Sequence, residues 1–258
     1  MKQLWSSFVI SFSMYSKIPM PKINWTKENM RCVMCFFPVI GAVIGGICYL
    51  WGSYGRLLPI GEVFHTVILL LIPVVITGGI HLDGLLDTAD ALSSYQDKER
   101  KLEILKDSNA GAFAVIIAVS YFLLYYGVFT ELTEKGLPVV CLGFILSRAL
   151  SGFAIAAFPM AKNTGLAAAF SNGAKKHTVR LVTGMTACLT GLGMCLIQPV
   201  LGISGIAGAM LTFGYYYQMS KKQFGGITGD LAGFFLQICE LVIALFVAAG
   251  EICMRSLL

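Results

Sequence analysis

Asp83, Asp87 and Asp90 stand four and then three residues apart. On a helix this spacing puts three carboxylates on one face. Like charges set side by side repel, so the face calls for a cation. Hard divalent cations take oxygen ligands, and Mg²⁺ is typically held by one or two carboxylates completed by substrate phosphates. A solvated acidic face is the ordinary alternative. Against it, Leu85, Leu86, Ala89 and Leu92 make the other faces apolar, and an apolar run of bilayer character ends just upstream. Acids at a membrane boundary are rare enough to read as functional. His81 precedes the group, and three roles fit it: ligand, base, or hydrogen-bond partner of a carboxylate.

Three further segments carry polar chemistry. In residues 100–112, Arg100, Lys106, Ser108 and Asn109 suit phosphate oxygens, Arg as a fork and Lys as a point charge. A membrane anchor with an Arg100–Glu103 pair explains the same residues without a ligand. Arg148 lies midway along an apolar run, a costly place unless it faces a cavity or an anion. The turn Gly225-Gly226-Ile227-Thr228-Gly229-Asp230 allows close backbone approach, so its amides suit an anion, and Thr228 or Asp230 suits a helix cap. Beyond it, Gln237 and Glu240 interrupt an apolar run. His65, within another such run, reads as a partner in a helix–helix hydrogen bond, and His177 as solvated.

The elements that must position these groups are membrane helices. The chain has 258 residues, 57% hydrophobic and only 13% charged, with mean hydropathy +0.77. A soluble domain carries about 25% charge. This balance excludes disorder, nucleic-acid binding and an ordinary cytosolic enzyme. Bilayer-length apolar runs fall at about 33–54, 63–80, 110–130, 137–159, 181–202, 203–219 and 231–253. The expected fold is therefore an all-α polytopic membrane bundle of seven spans, within a range of six to eight, forming one domain over 1–258. The cut between the fifth and sixth runs depends on how Gln198-Pro199 is treated. Residues 1–20 read as an interfacial amphipathic segment, with Leu4, Trp5, Phe8, Phe12 and Tyr15 at helical spacing. The eight cysteines lie mostly in apolar runs and read as neither a disulfide framework nor a zinc site.

With the N-terminus placed in the cytoplasm, 15 of the 19 Lys and Arg fall on the inner side. Arg56, Lys135 and Arg255 fall outside, and Arg148 lies within a span. That asymmetry is the positive-inside signature. It brings the polar segments together at the cytoplasmic surface, where carboxylates, cations and a glycine turn suit a phosphate-rich substrate bridged by Mg²⁺.

Three motifs, Gly-Gly-x-His-x-Asp-Gly-x-x-Asp-x-x-Asp at 78–90, Arg-x5-Lys-Asp-Ser-x-x-Gly at 100–111 and Gly-Gly-x-Thr-Gly-Asp at 225–230, together resemble the cobalamin synthase (adenosylcobinamide-GDP ribazoletransferase) family. Ser16-Lys17-Ile18-Pro19-Met20-Pro21, Ser147-Arg148 and Lys162-x-x-Gly165 resemble further parts of its pattern. Lys162 stands where Arg is expected, Leu82 where a polar residue is common, and Ala91 where Gly is frequent. The resemblance implies a Mg²⁺-dependent membrane enzyme that joins adenosylcobinamide-GDP to α-ribazole or its 5′-phosphate and releases GMP. It implies metal ligation by Asp83, Asp87, Asp90 and Asp230, and a proton acceptor in a carboxylate or His81. Substrate and phosphate contacts fall to Arg100, Lys106, Ser108, Arg148, Lys162, Gly225, Gly226, Thr228, Gly229 and Glu240. The implied partners are those substrates, the bilayer, and further copies or other cobalamin-assembly enzymes. A CDP-alcohol phosphotransferase is the competing reading, but no Ala-Arg follows Asp83-Gly84-Leu85-Leu86. A transporter should show repeats or paired broken helices, and the sequence shows none.

Overall fold

In hydrocarbon a backbone N–H or C=O must find its partner within its own segment, so apolar runs of this length become helices. A computed structural model describes residues 2–107 and 109–256. Twelve helices follow one another among them. They are α1 (Lys2–Tyr15), α2 (Lys27–Met30), α3 (Phe37–Tyr54), α4 (Glu62–Thr77), α5 (Ile80–Ser93) and α6 (Lys98–Ile104), then α7 (Ala112–Glu131), α8 (Gly136–Ala157), α9 (Leu166–Gly173), α10 (Lys176–Ile197), α11 (Pro199–Phe224) and α12 (Gly229–Ser256). The seven apolar runs of the sequence correspond in order to α3, α4, α7, α8, α10, α11 and α12. Six of these are long and apolar enough to cross a membrane alone; α4 makes a seventh only together with α5 as a bent pair. The break between α10 and α11 falls at Gln198, with Pro199 in the first turn of α11, where its missing N–H costs nothing.

The spans run up and down. α3 packs antiparallel on α8, with Gly41 against the Phe144 backbone and Gly52 against Leu137. α12 packs antiparallel on α8, Glu240 meeting Ser147 and Ile243 meeting Gly143. α8 and α12 form the interior and are the most buried spans. Small residues at these contacts let backbones approach, as close packing in lipid requires. Leu123, Leu189 and Leu211 on the outer helices are exposed, as suits a lipid-facing surface.

The departure from a plain bundle is at Gly78 and Gly79. Both hold left-handed backbone, φ 66° and 80°, which glycine alone adopts freely. The chain turns by 94° there. α5 therefore does not continue α4 through the membrane. It lies across the first turns of α12 and α7, with Gly84 against the Asp230 backbone and His81 against Gly233. The N-terminal helix α1 folds onto the same end. It buries Val9, Ile10 and Phe12 together with a serine edge, and leaves Leu4 and Trp5 exposed.

Gly84 is a point of close approach between α5 and α12: a Cβ there would stand 2.6 Å from the Asp230 carbonyl oxygen. Backbone cannot swing aside as a side chain can. Gly84→Val should cost about 1–3 kcal/mol and lower the melting temperature of the detergent-solubilised protein. An unchanged melting temperature would show that α5 is not clamped as described.

Candidate active site

The turn at Gly78–Gly79 aims the start of α5 into a cavity of about 480 Å³. Its walls come from segments far apart in sequence. α5 supplies His81 and Asp83, α6 and the turn after it supply Leu102 and Lys106, the loop after α8 supplies Lys162 and Thr164, and the entry to α12 supplies Thr228, Gly229 and Asp230. The loop after α8 is fixed by backbone pairing: Ile227 donates to Pro159 O at 2.9 Å and Ala161 donates to Ile227 O at 3.0 Å. This short parallel bridge joins the two loops that carry Lys162 and Thr228.

The charges in the cavity divide by sign. Asp83 and Asp230 line it together, and Asp87 lies behind them on α5. Partial burial, then the charges of Asp83, Asp230, Asp90 and Asp107, push the Asp87 carboxyl up to about 7. Lys106 and Lys162 also line the cavity and sit side by side. Desolvation and the Lys106 charge lower the Lys162 ammonium below the usual lysine range. Lys162 also donates to Leu102 O at 3.3 Å. Two crowded ammoniums and crowded carboxylates share one hollow. An anion relieves the first group and a cation the second.

A second, more open hollow of about 520 Å³ lies on the other side of the bend. It is lined by Ser13, Lys17, Thr77, Gly78 and Gly79, and shares Met14, Ile80 and Asp83 with the first. Asp83 thus stands where two hollows meet.

His81 is 4% exposed, and its Nε2 has no hydrogen-bond partner. Its ring lies 6.0 Å from Tyr15 and 5.8 Å from Phe37 between centroids. Burial, and then the nearby Arg148 charge, hold the imidazole well below its usual pKa, so it is neutral.

Several expected site residues have other partners. Asp90 turns from the other carboxylates and caps α7, accepting from Gly111 N at 2.5 Å and Ala114 N at 2.9 Å. A carboxylate on a helix N-terminus is a favourable arrangement in its own right. The amides of Gly225 and Gly226 both donate to Ser220 O and close the end of α11, so they do not face an anion. Arg100 forms an exposed pair with Glu103 at 2.7 Å and does not line the cavity. The anion that Arg148 faces is Glu240, at 2.6 Å, with exposures of 0% and 2%. Ser147 donates to the same Glu240 oxygen at 3.0 Å. Neither Arg148 nor Glu240 lines the cavity; their pair ties α8 to α12 beneath it. His65 exchanges hydrogen bonds with Trp51, joining α4 to α3. Thr228 caps α12 by accepting from Leu231 N at 3.2 Å. Ser108 lies outside the described residues.

Among the described residues no three His, Cys, Asp or Glu side chains gather as a ready cage. Mg²⁺ held by one or two carboxylates and substrate phosphates needs none. Asp83 and Asp230, with Asp87 behind them, fit such a shared site by their oxygen chemistry and uncompensated charge.

The reading of the sequence did not assign Tyr15, Phe37, Ser151 or Thr164 to the cavity, which they line. Tyr15 belongs to the segment read as a surface anchor, and only the fold shows that the end of α1 closes the cavity. Ser151 lies three residues beyond Arg148 on α8, a spacing that offered a signal.

A family model described as cobalamin-5-phosphate synthase matches residues 7–248. The adenosylcobinamide-GDP ribazoletransferase of Lachnoclostridium phytofermentans is 47% identical over 246 residues, 95% of this chain and 94% of that protein. The protein of the same name from Clostridium botulinum (strain Alaska E43) is 34% identical, over 94% of this chain and 96% of its own length. That of a Geobacillus species is 32% identical over 93% and 94%. No solved structure matches.

Two measurements test the site's electrostatics. Glu240→Gln strands a buried guanidinium and should cost about 3–5 kcal/mol of stability. Replacing both partners, Arg148→Met with Glu240→Leu, should recover most of the melting temperature; equal melting of wild type and Glu240→Gln would remove the pair from the scaffold. For Asp87, the folded-state pKa is raised. Without divalent cation its stabilising protonation is full below about 4 and is lost as pH rises through about 7. In EDTA the melting temperature should fall across that window, and Asp87→Asn should flatten the fall.

Proposed function

The chain belongs to the cobalamin-5-phosphate synthase family, and from that premise we propose that it carries out the activity named in its relatives, joining adenosylcobinamide-GDP to α-ribazole or its 5′-phosphate with release of GMP. The family places the protein in the final assembly of cobalamin, and its apolar helices make it a multi-pass membrane protein. The positive-inside asymmetry supports a cytoplasmic position for the cavity, on the side where a nucleotide donor is available.

One observation carries the reading. Four distant segments bring two lysines, two carboxylates and a neutral histidine into one cavity at the end of an apolar bundle. That inventory is what transfer between a pyrophosphate and a hydroxyl requires. A ribose hydroxyl attacks the phosphorus next to the aminopropanol arm, the bond to the bridging oxygen breaks, and GMP leaves with that oxygen. Lys106 and Lys162 bind phosphate oxygens, which removes their mutual repulsion and balances the charge gathered on the transferring group. The Thr228 hydroxyl and the first amides of α12 lie along the same wall. His81, uncharged, accepts the proton of the attacking hydroxyl. Asp83 and Asp230, supported by Asp87, would hold Mg²⁺, which neutralises the pyrophosphate oxygens when bound. Asp83 stands between the two hollows, as a group serving two substrates should. Arg148, Glu240, Asp90, Gly225 and Gly226 support this site from beneath and beside it.

The direct test is GMP release by purified protein in nanodiscs, given adenosylcobinamide-GDP, α-ribazole 5′-phosphate and Mg²⁺. GMP should appear only with both substrates and should stop in EDTA. Asp83→Asn should lower the rate at least a hundredfold while the melting temperature holds. Lys106→Ala should act mainly on KM for the donor. Full activity of Asp83→Asn, or release from a CDP-linked alcohol instead, would overturn the assignment.

A further inference from the structure

The cavity is graded in burial. At its mouth Asp83, Lys106, Thr164 and Gly165 are exposed. At its other end Met34, Phe37, Ser151, Ile155 and Leu236 are each at most 4% exposed. Tyr15 and Phe37 stand there with ring centroids 4.5 Å apart. Among the described residues that line this buried end, the polar side chains are hydroxyls and the His81 ring, with no Asp, Glu, Asn or Gln; the Arg148 guanidinium stands behind the lining, over the Phe37 ring.

Ser151 is set apart by its place on the cavity wall. Thr183 and Thr212, buried on spanning helices, return their hydroxyls to their own backbone, at Val179 O and Gly208 O, while Tyr125, Tyr216 and Ser220 have buried hydroxyls without a partner among the described residues and none of them lines the cavity. Ser151, 2% exposed, lines the cavity, and among the described residues its hydroxyl makes no bond to its own backbone. A hydroxyl that opens on a cavity and is not committed to its own backbone is available to a polar atom of what enters it.

We propose that the buried end of the cavity is the base-binding subsite for the acceptor, taking a flat, apolar bicyclic base against Tyr15 and Phe37, with the Ser151 hydroxyl donating to its one bare ring nitrogen. The proposal rests on the transferase reading and specifies which substrate enters which part of the site. Donor and acceptor differ sharply in what they ask of a pocket. Guanine presents an N–H and an amino group that need acceptors such as carboxylates or carboxamides, which the buried end lacks. The benzimidazole of ribazole presents apolar edges and a single acceptor nitrogen, which one hydroxyl satisfies. Its bicycle suits aromatic walls and a pocket of this volume, whereas a corrinoid is far larger. With the base buried, the ribose lies toward the mouth, between the lysines and Asp83. The acceptor then enters first and the bulky donor closes over it.

The test compares KM values in the GMP-release assay. Ser151→Ala removes only the hydroxyl. It should raise KM for α-ribazole about fivefold, with kcat and KM for adenosylcobinamide-GDP within twofold. Ser151→Phe fills the buried end and should abolish use of α-ribazole, while binding of adenosylcobinamide-GDP, followed by equilibrium dialysis, persists. That retained binding also shows the variant to be folded. If wild type turns over but Ser151→Ala leaves KM for α-ribazole unchanged, or raises that of the donor instead, the subsite is wrong and the transferase stands. If wild type releases no GMP, both readings fall together.

Discussion

The joint at Gly78 and Gly79 governs what the rest of the molecule can do. A helix that continued straight from α4 would carry Asp83 and Asp87 beyond the end of the bundle. Two successive left-handed residues instead turn the chain through 94° and lay α5 across α12 and α7. Any side chain at Gly78 would strike Lys17. The bend therefore also fixes the segment that follows α1, through the Lys17 N–H to Ile76 O bond at 2.7 Å. The closeness at Gly84 then brings α5 against the first residue pair of α12, so that Asp83 and Asp230, 147 positions apart in sequence, share a wall.

Once these groups are together, the balance of charge decides their roles. Partial burial and then the neighbouring carboxylates raise Asp87, and desolvation and then the Lys106 charge lower Lys162. Both groups are held in place by covalent and backbone constraints rather than by each other. Asp90 is neutralised by the α7 N-terminus, and Arg148 by Glu240. The protein thus pairs the charges it uses for support and leaves unpaired those that face the cavity. This is the arrangement expected of a site whose missing counter-charges arrive with the substrate.

The spans were legible because lipid allows so few alternatives: long apolar runs and cation asymmetry suffice. The α5 helix and its acidic face were also legible, since spacing alone puts Asp83 and Asp87 together. The sequence could not show which charges pair internally. Arg148 and Glu240 lie 92 residues apart, and nothing local marks them as partners; both read equally well as ligands of a substrate. Asp90 has the right spacing for the acidic face, yet one further turn carries it to the α7 N-terminus. The glycines at 225 and 226 read as an anion cradle, but their amides close α11 instead. The aromatic and hydroxyl groups of the buried end, Tyr15, Phe37 and Ser151, carry no motif at all. Only the packing of α1, α3 and α8 brings them to one place.

Why the proposed reaction suits a membrane follows from the same geometry. The cavity's floor is built by the spanning helices themselves: Phe37 from α3, Ser151 and Ile155 from α8, Leu236 from α12. Its mouth is built by the elements that do not cross, α5, α6 and the two bridged loops. On the proposed reading, an apolar base takes the first kind of wall and a pyrophosphate the second. A helix bundle in lipid supplies an apolar interior without the large soluble core that water would demand, and its ends are where charged loops are stable. The boundary between bilayer and water is thus where one cavity can be dry at its base and charged at its rim.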